Sequence, residues 1–164
     1  FAISIALERK GQLVSALVFN PVTDEMFIAE KGQGAYLNDK RMRVAARRTL
    51  EETVIATGLP FFGKDGHALA TAEISAVMAV TAGIRRMGAA ALDLAFVAAG
   101  RFDGFWERGL KPWDIAAGIL LVREAGGVVT DINGGPGMLD CGHLVAGNDA
   151  IHPPLLKLLQ KVKV

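Results

Sequence analysis

The stretch KPWDIAAGILLVREAGG, Lys111 to Gly127, sets one acid, Asp114, ahead of an almost wholly apolar run. The run is shorter than the roughly 20 residues a membrane-spanning helix needs. It is also too apolar to face water, so a buried helix is predicted over 115–124, ended by Ala125-Gly126-Gly127. Asp114 then has two readings. As a cap, it meets free backbone N–H groups and the positive end of the helix dipole, and Trp113 beside it is ordinary core. As part of a site, it belongs to the place where ligands gather in layered α/β proteins, at the carboxyl ends of strands where helices begin. Phe102 to Glu107 reads as such a strand and Arg108 to Trp113 as the loop after it. Glu107 and Asp114 therefore stand at the two ends of one short loop, able to face a common cleft.

A third element can converge there. Gly88-Ala89-Ala90 opens a predicted helix over 89–99 without bulky side chains, so its N–H groups can approach a ligand closely. Oxygen ligands suit a hard cation, and magnesium takes one or two carboxylates together with phosphate oxygens.

The rest of the chain sets the frame. Short apolar runs at 2–7, 13–19 and 25–29 are separated by Lys10-Gly11-Gln12 and by the Asn20-Pro21 to Asp24 turn, which predicts an antiparallel meander. Gly32 to Asp39 adds a turn and a short strand. Beyond Arg48, strands are predicted at 53–57, 102–107, 128–131 and 144–146. Helices are predicted at 68–79, 89–99 and 115–124, with a last one starting near Pro153. Antiparallel strands first, then alternating strands and helices, imply a layered α/β architecture with two regions, 1–50 and 51–164.

Composition narrows the function. The 164 residues are 51% hydrophobic with a formal charge of +1, a globular balance with no general pull toward nucleic acid or an acidic membrane. Lys40 to Arg43 and Arg47-Arg48 read as solvated loop, so nucleic acid is not expected as a partner. Cys141 is the single cysteine, which excludes an internal disulfide and a multi-cysteine zinc site and fits a cytoplasmic setting. No membrane-length apolar segment occurs. His67, His143 and His152 are too scattered for a metal cluster. Asp93 reads as structural, in its helix's first turns, and Asp103 as facing solvent or a strand neighbour. Arg85 and Arg86 could meet phosphate, a subunit partner or surface counterions. Of Phe105 and Trp106, one is expected in the core and the other along the cleft or an interface.

Trp113 to Gly127 resembles the carboxyl-terminal signature of the inositol monophosphatase family: an aspartate beside tryptophan, small residues, an apolar run, then paired glycines. Gly88 to Ala95 resembles the family's substrate-side helix start, and Phe27 to Asn38 its turn and hairpin. The resemblance implies an α-β-α-β-α sugar-phosphatase fold. It also implies a magnesium-dependent, often lithium-sensitive homodimer that hydrolyses phosphate monoesters of inositols and related polyols. It makes Asp114 the catalytic, metal-binding aspartate that also touches substrate, and Glu107 an acid that bonds substrate hydroxyls. Gly88, Ala89 and Ala90 then lie beside the polyol ring; Ala89 stands where many members carry serine or threonine.

The family's earlier metal ligands, a glutamate-bearing segment and an Asp-Pro-x-Asp-Gly-Thr motif, do not occur in this sequence. Phe1 falls just after the place of the second. The chain is therefore expected to be the carboxyl-terminal part of such an enzyme and inactive alone, since one aspartate does not hold the paired ions of in-line hydrolysis. Two classes stay open. One is the polyol-phosphate phosphatase, including relatives acting on fructose bisphosphate or nucleotide phosphates. The other is a non-catalytic role in assembly with a partner protein or RNA-processing machinery.

Overall fold

The computed structural model describes residues 1–163; Val164, the last residue of the predicted 51–164 region, lies outside them. Strands β1 (Ile3–Arg9), β2 (Gln12–Asn20), β3 (Glu25–Glu30), β4 (Gly34–Leu37) and β5 (Lys40–Arg41) form an antiparallel sheet in sequence order. Its register pairs Ile5 with Leu17, Leu17 with Ile28, and Ile28 with Tyr36, so these share one face. Ala16, Val18, Phe27, Ala29 and Ala35 occupy the other face and are buried. On the outer face Ile3, Ile5 and Leu7 remain more than half exposed.

The second sheet runs β7 (Gly83–Arg85), β6 (Val54–Thr57), β8 (Gly104–Glu107), β10 (Leu144–Gly147), β9 (Val128–Thr130). β6 is parallel to both β7 and β8, whereas β10 is antiparallel to β8 and β9. Helices α2 (Ala90–Ala98) and α3 (Pro112–Glu124) pack together between the sheets; α1 (His67–Met78) and α5 (His152–Lys161) pack on the far side of the second sheet. The layers run sheet, helix pair, sheet, helix pair, in the predicted order. Alternation in β8 explains how one strand serves two cores. Phe105 joins α2 and α3, while Trp106 joins Ile55 and Val145 beneath α1 and α5.

Close contact between α2 and α3 depends on Gly118, where an added Cβ would lie 2.5 Å from the Leu94 side chain. At the far end of α3 the Glu124 carboxylate accepts the N–H groups of Gly32 (2.8 Å) and Gly34 (2.9 Å), tying the β3–β4 hairpin to the helix.

Two expectations change. α3 begins at Pro112, three residues before the predicted start, because proline fits a helix's first turn, where its missing N–H goes unused. Trp113 is consequently carried on that first turn and is 69% exposed, not core. Asp103 takes the second of its two expected readings and faces a strand neighbour: it is buried, and its carboxylate accepts the Val54 N–H on β6 (2.8 Å) and an Arg47 guanidinium N–H (3.0 Å). β5, β7 and the short helix α4 (Met138–Cys141) were not predicted; elements of two to four residues carry too few positions to show a period. Among the described residues no helix is long and apolar enough to cross a membrane.

Candidate active site

The parallel strands β6 and β8 end on the same side, and α2 and α3 begin there. A cleft of about 580 Å³ opens between these ends, and Gly88, Ala89, Ala90, Glu107 and Asp114 all line it. The five residues singled out in sequence are thus brought to one place.

Glu107 is the last residue of β8, and its carboxyl lies against the backbone of Gly58: a Cβ there would stand 1.9 Å from Glu107 Cδ. Burial pushes the Glu107 carboxyl up to about 7, with the charges of Asp93 and Asp114 adding to the rise and Arg86 and Lys64 opposing it. Gly58→Ala is expected to swing this flexible side chain out of place. The change should raise KM for a hydroxyl-bearing substrate about tenfold, the value of one lost hydrogen bond to a charged group, while moving the urea midpoint little. Steady-state kinetics alongside a denaturation curve checks both halves.

Asp114 is the third residue of α3 and half-buried; its Oδ2 accepts the Lys111 N–H (2.9 Å). The capping reading therefore holds in geometry, and the same carboxylate lines the cleft. No group of three or more His, Cys, Asp or Glu able to hold a metal ion occurs among the described residues. On their own, these residues do not fit a pair of ions.

Asp93 departs most from a routine structural acid. It is wholly buried, and neither carboxylate oxygen has a hydrogen-bond partner. Burial pushes it up to about 7, against opposing pulls from the Ala89 backbone N–H, which faces the carboxyl without meeting hydrogen-bond geometry, and from Arg86. Its native form therefore keeps a proton that the unfolded chain, titrating near 3.8, releases. The resulting contribution is fully present below that lower value and is lost as pH rises toward 7. Asp93→Asn is accordingly expected to stabilise the fold by about 2–4 kcal/mol at pH 8 and by almost nothing near pH 3.5. Urea unfolding at the two pH values reads the difference.

Some cleft residues were not singled out in sequence. Glu73 on α1 is buried, and its carboxylate accepts the Trp106 indole N–H (3.2 Å) and two Arg108 N–H groups (2.8 and 2.6 Å). Arg108 opens the loop between Glu107 and Asp114, so α1 holds that loop from one side. From the other, Gly109 N–H donates to His143 Nδ1 (3.0 Å) and Leu110 N–H to Gly142 O (2.9 Å). The first bond makes Nδ1 an acceptor, which leaves the neutral ring's proton on Nε2. Gly142 has φ 70°, and a Cβ there would sit 2.3 Å from Leu110 O. A single acid in a helix pattern and a lone histidine gave no sequence signal of these roles, because each partner lies more than 30 residues away.

The chain resembles known proteins along nearly its whole length. A profile described as the inositol monophosphatase family matches residues 1–163. The inositol-1-monophosphatase of Mesorhizobium japonicum is 56% identical over 161 residues, covering 98% of this chain and 60% of the relative. The Nus factor SuhB of Pseudomonas aeruginosa is 49% identical, covering 98% and 60%. In three dimensions, the extragenic suppressor protein suhB from Bartonella henselae matches with a TM-score of 0.96 at 54% identity, over 99% of this chain and 62% of that one. An inositol monophosphatase from Anabaena matches with a TM-score of 0.93 at 37% identity, over 99% and 67%. The chain spans 60% of the length of such curated relatives. With fold, profile and relatives in agreement, the chain belongs to the inositol monophosphatase family.

Proposed function

We propose that the protein hydrolyses phosphate monoesters of inositol or related polyols with magnesium, and that the described residues supply the substrate side of its site. The observation that carries this reading is the convergence of the α2 start, Glu107 and Asp114 on one cleft. Asp114 offers a carboxylate held in place by the Lys111 N–H. Glu107, once ionised, accepts a hydrogen bond from a ring hydroxyl. Because its carboxyl is pushed up to about 7, that acceptor weakens as pH falls below neutrality. Gly88, Ala89 and Ala90 leave room for the ring beside the first N–H groups of α2. Bound magnesium would polarise the phosphoryl group and activate water. Since Asp114 alone does not hold such ions, residues 1–164 by themselves are inactive in this reading. Lithium inhibition, a cytoplasmic location and a homodimeric state belong to the same proposal.

The test is phosphate release from inositol 1-phosphate, with magnesium and with EDTA. It compares this chain with a protein extended upstream to the length of its relatives. Release by the extended protein alone, abolished by EDTA, is the expected outcome; magnesium-dependent release by the short chain would overturn the assignment of inactivity. Glu107→Gln in the extended protein is expected to change the ranking of polyol phosphates more than the rate on any one, and an unchanged ranking would remove its hydroxyl-binding role. A second reading is favoured by the Nus factor name of a relative 49% identical: a non-catalytic role in assembly. An extended protein that releases no phosphate from any polyol ester would favour it.

A further inference from the structure

Glu107 and Asp114, the two acids of the proposed site, are joined by the short loop 108–111. What fixes this loop fixes the two acids relative to each other. Arg108 is tied to Glu73, and the Leu110 N–H to Gly142 O. Gly109 lies between them at φ 73°, and a Cβ there would meet nothing within 4 Å. Packing therefore does not hold this residue. Its N–H donates to His143 Nδ1 (3.0 Å), and among the described residues that is the one hydrogen bond the imidazole makes.

β8 and β10 pair from Gly104 and Gly147 as far as Glu107 and Leu144, and His143 stands one residue outside that last pair. The ladder has ended there, so the amide two residues beyond Glu107 takes a side-chain nitrogen as its acceptor. The histidine's own backbone is fixed by its N–H to Cys141 Sγ (3.4 Å) and by the left-handed turn at Gly142. We propose that His143 is a positioning residue, which through Nδ1 holds Gly109 and so sets Glu107 to receive a ring hydroxyl. This rests on the polyol-phosphate reading of the site. Gly109 is two residues from Glu107 but five from Asp114, which belongs to the first turn of α3. Loss of the imidazole therefore acts on substrate affinity more than on turnover. The bond also fixes the tautomer, since a ring carrying its proton on Nδ1 would turn a donor toward the amide.

The experiment uses the extended protein with His143→Ala and with His143→Asn, whose side-chain oxygen keeps an acceptor. In wild type, the ring nitrogen shifts of labelled histidine are expected to show Nδ1 without a proton. The Gly109 amide of His143→Ala should exchange with solvent about fivefold faster, the scale of one neutral hydrogen bond. KM for inositol 1-phosphate should rise by about the same factor while kcat stays within about twofold. Glycerol 2-phosphate, which has no ring, should respond less, and His143→Asn should recover most of each effect. A proton on Nδ1, or unchanged exchange of Gly109 in His143→Ala, would overturn the proposal. So would equal changes toward both esters, or a fall in kcat as large as the rise in KM, without rescue by asparagine. An extended protein that hydrolyses neither ester would sink the polyol reading and the Glu107 half of this proposal with it; amide exchange still decides the tie to Gly109.

Discussion

Asp114→Asn in the extended protein is expected to lower turnover of inositol 1-phosphate by about a hundredfold or more. Disturbing only the partners that support a metal ligand costs roughly 10–100-fold, and in the proposed function Asp114 is such a ligand, so this change removes its charge. Stability is a separate matter. The asparagine side-chain oxygen can still accept the Lys111 N–H, so the turn at the start of α3 survives. What remains is the lost attraction of a carboxylate to the helix dipole, about 0.3–1 kcal/mol. Measuring kcat and the urea midpoint on the same preparation separates the two contributions. Normal turnover with unaltered magnesium dependence would leave Asp114 only its capping role.

Glu73→Ala is expected to act through the fold. The wild-type carboxylate is buried and satisfies Trp106 Nε1 and two donors of Arg108. Its loss strands a guanidinium that is 28% exposed and a buried indole N–H. Removing one partner of a buried pair costs about 3–5 kcal/mol; the partial exposure of Arg108 places this case near the lower bound, about 3 kcal/mol. Chemical denaturation followed by tryptophan fluorescence reads the loss. Glu73→Gln, which keeps one acceptor oxygen, should recover part of it. A midpoint unchanged in both variants would show that the three-way contact contributes nothing.

The meander, both sheets' longer strands and the main helices were legible because apolar runs stand between turn residues and helix start and stop residues. The cleft was legible at Gly88, Glu107 and Asp114 for another reason: strand ends and helix starts are places that sequence marks. The start of α3 was misplaced because Trp113 reads as core by type, whereas proline at 112 had already opened the helix and turned the indole outward. Asp93 looked like a routine first-turn acid. Its burial without a partner is a product of packing between α2 and the second sheet, which no local pattern encodes. Glu73 was invisible for the same reason, since its partners come from β8 and the loop after it.

One helix deserves a mechanical reading. α3 is 13 residues long, about 20 Å at the usual rise. Its terminus is bolted by Glu124, which grips the hairpin of the opposite sheet through two amides, and its origin by the preceding loop, which Glu73 and Gly142 hold. A strut clamped at both ends resists sliding along its axis. Any breathing that admits a substrate then falls to the segment between β6 and α1, leaving the carboxylate at 114 as the fixed point against which it moves.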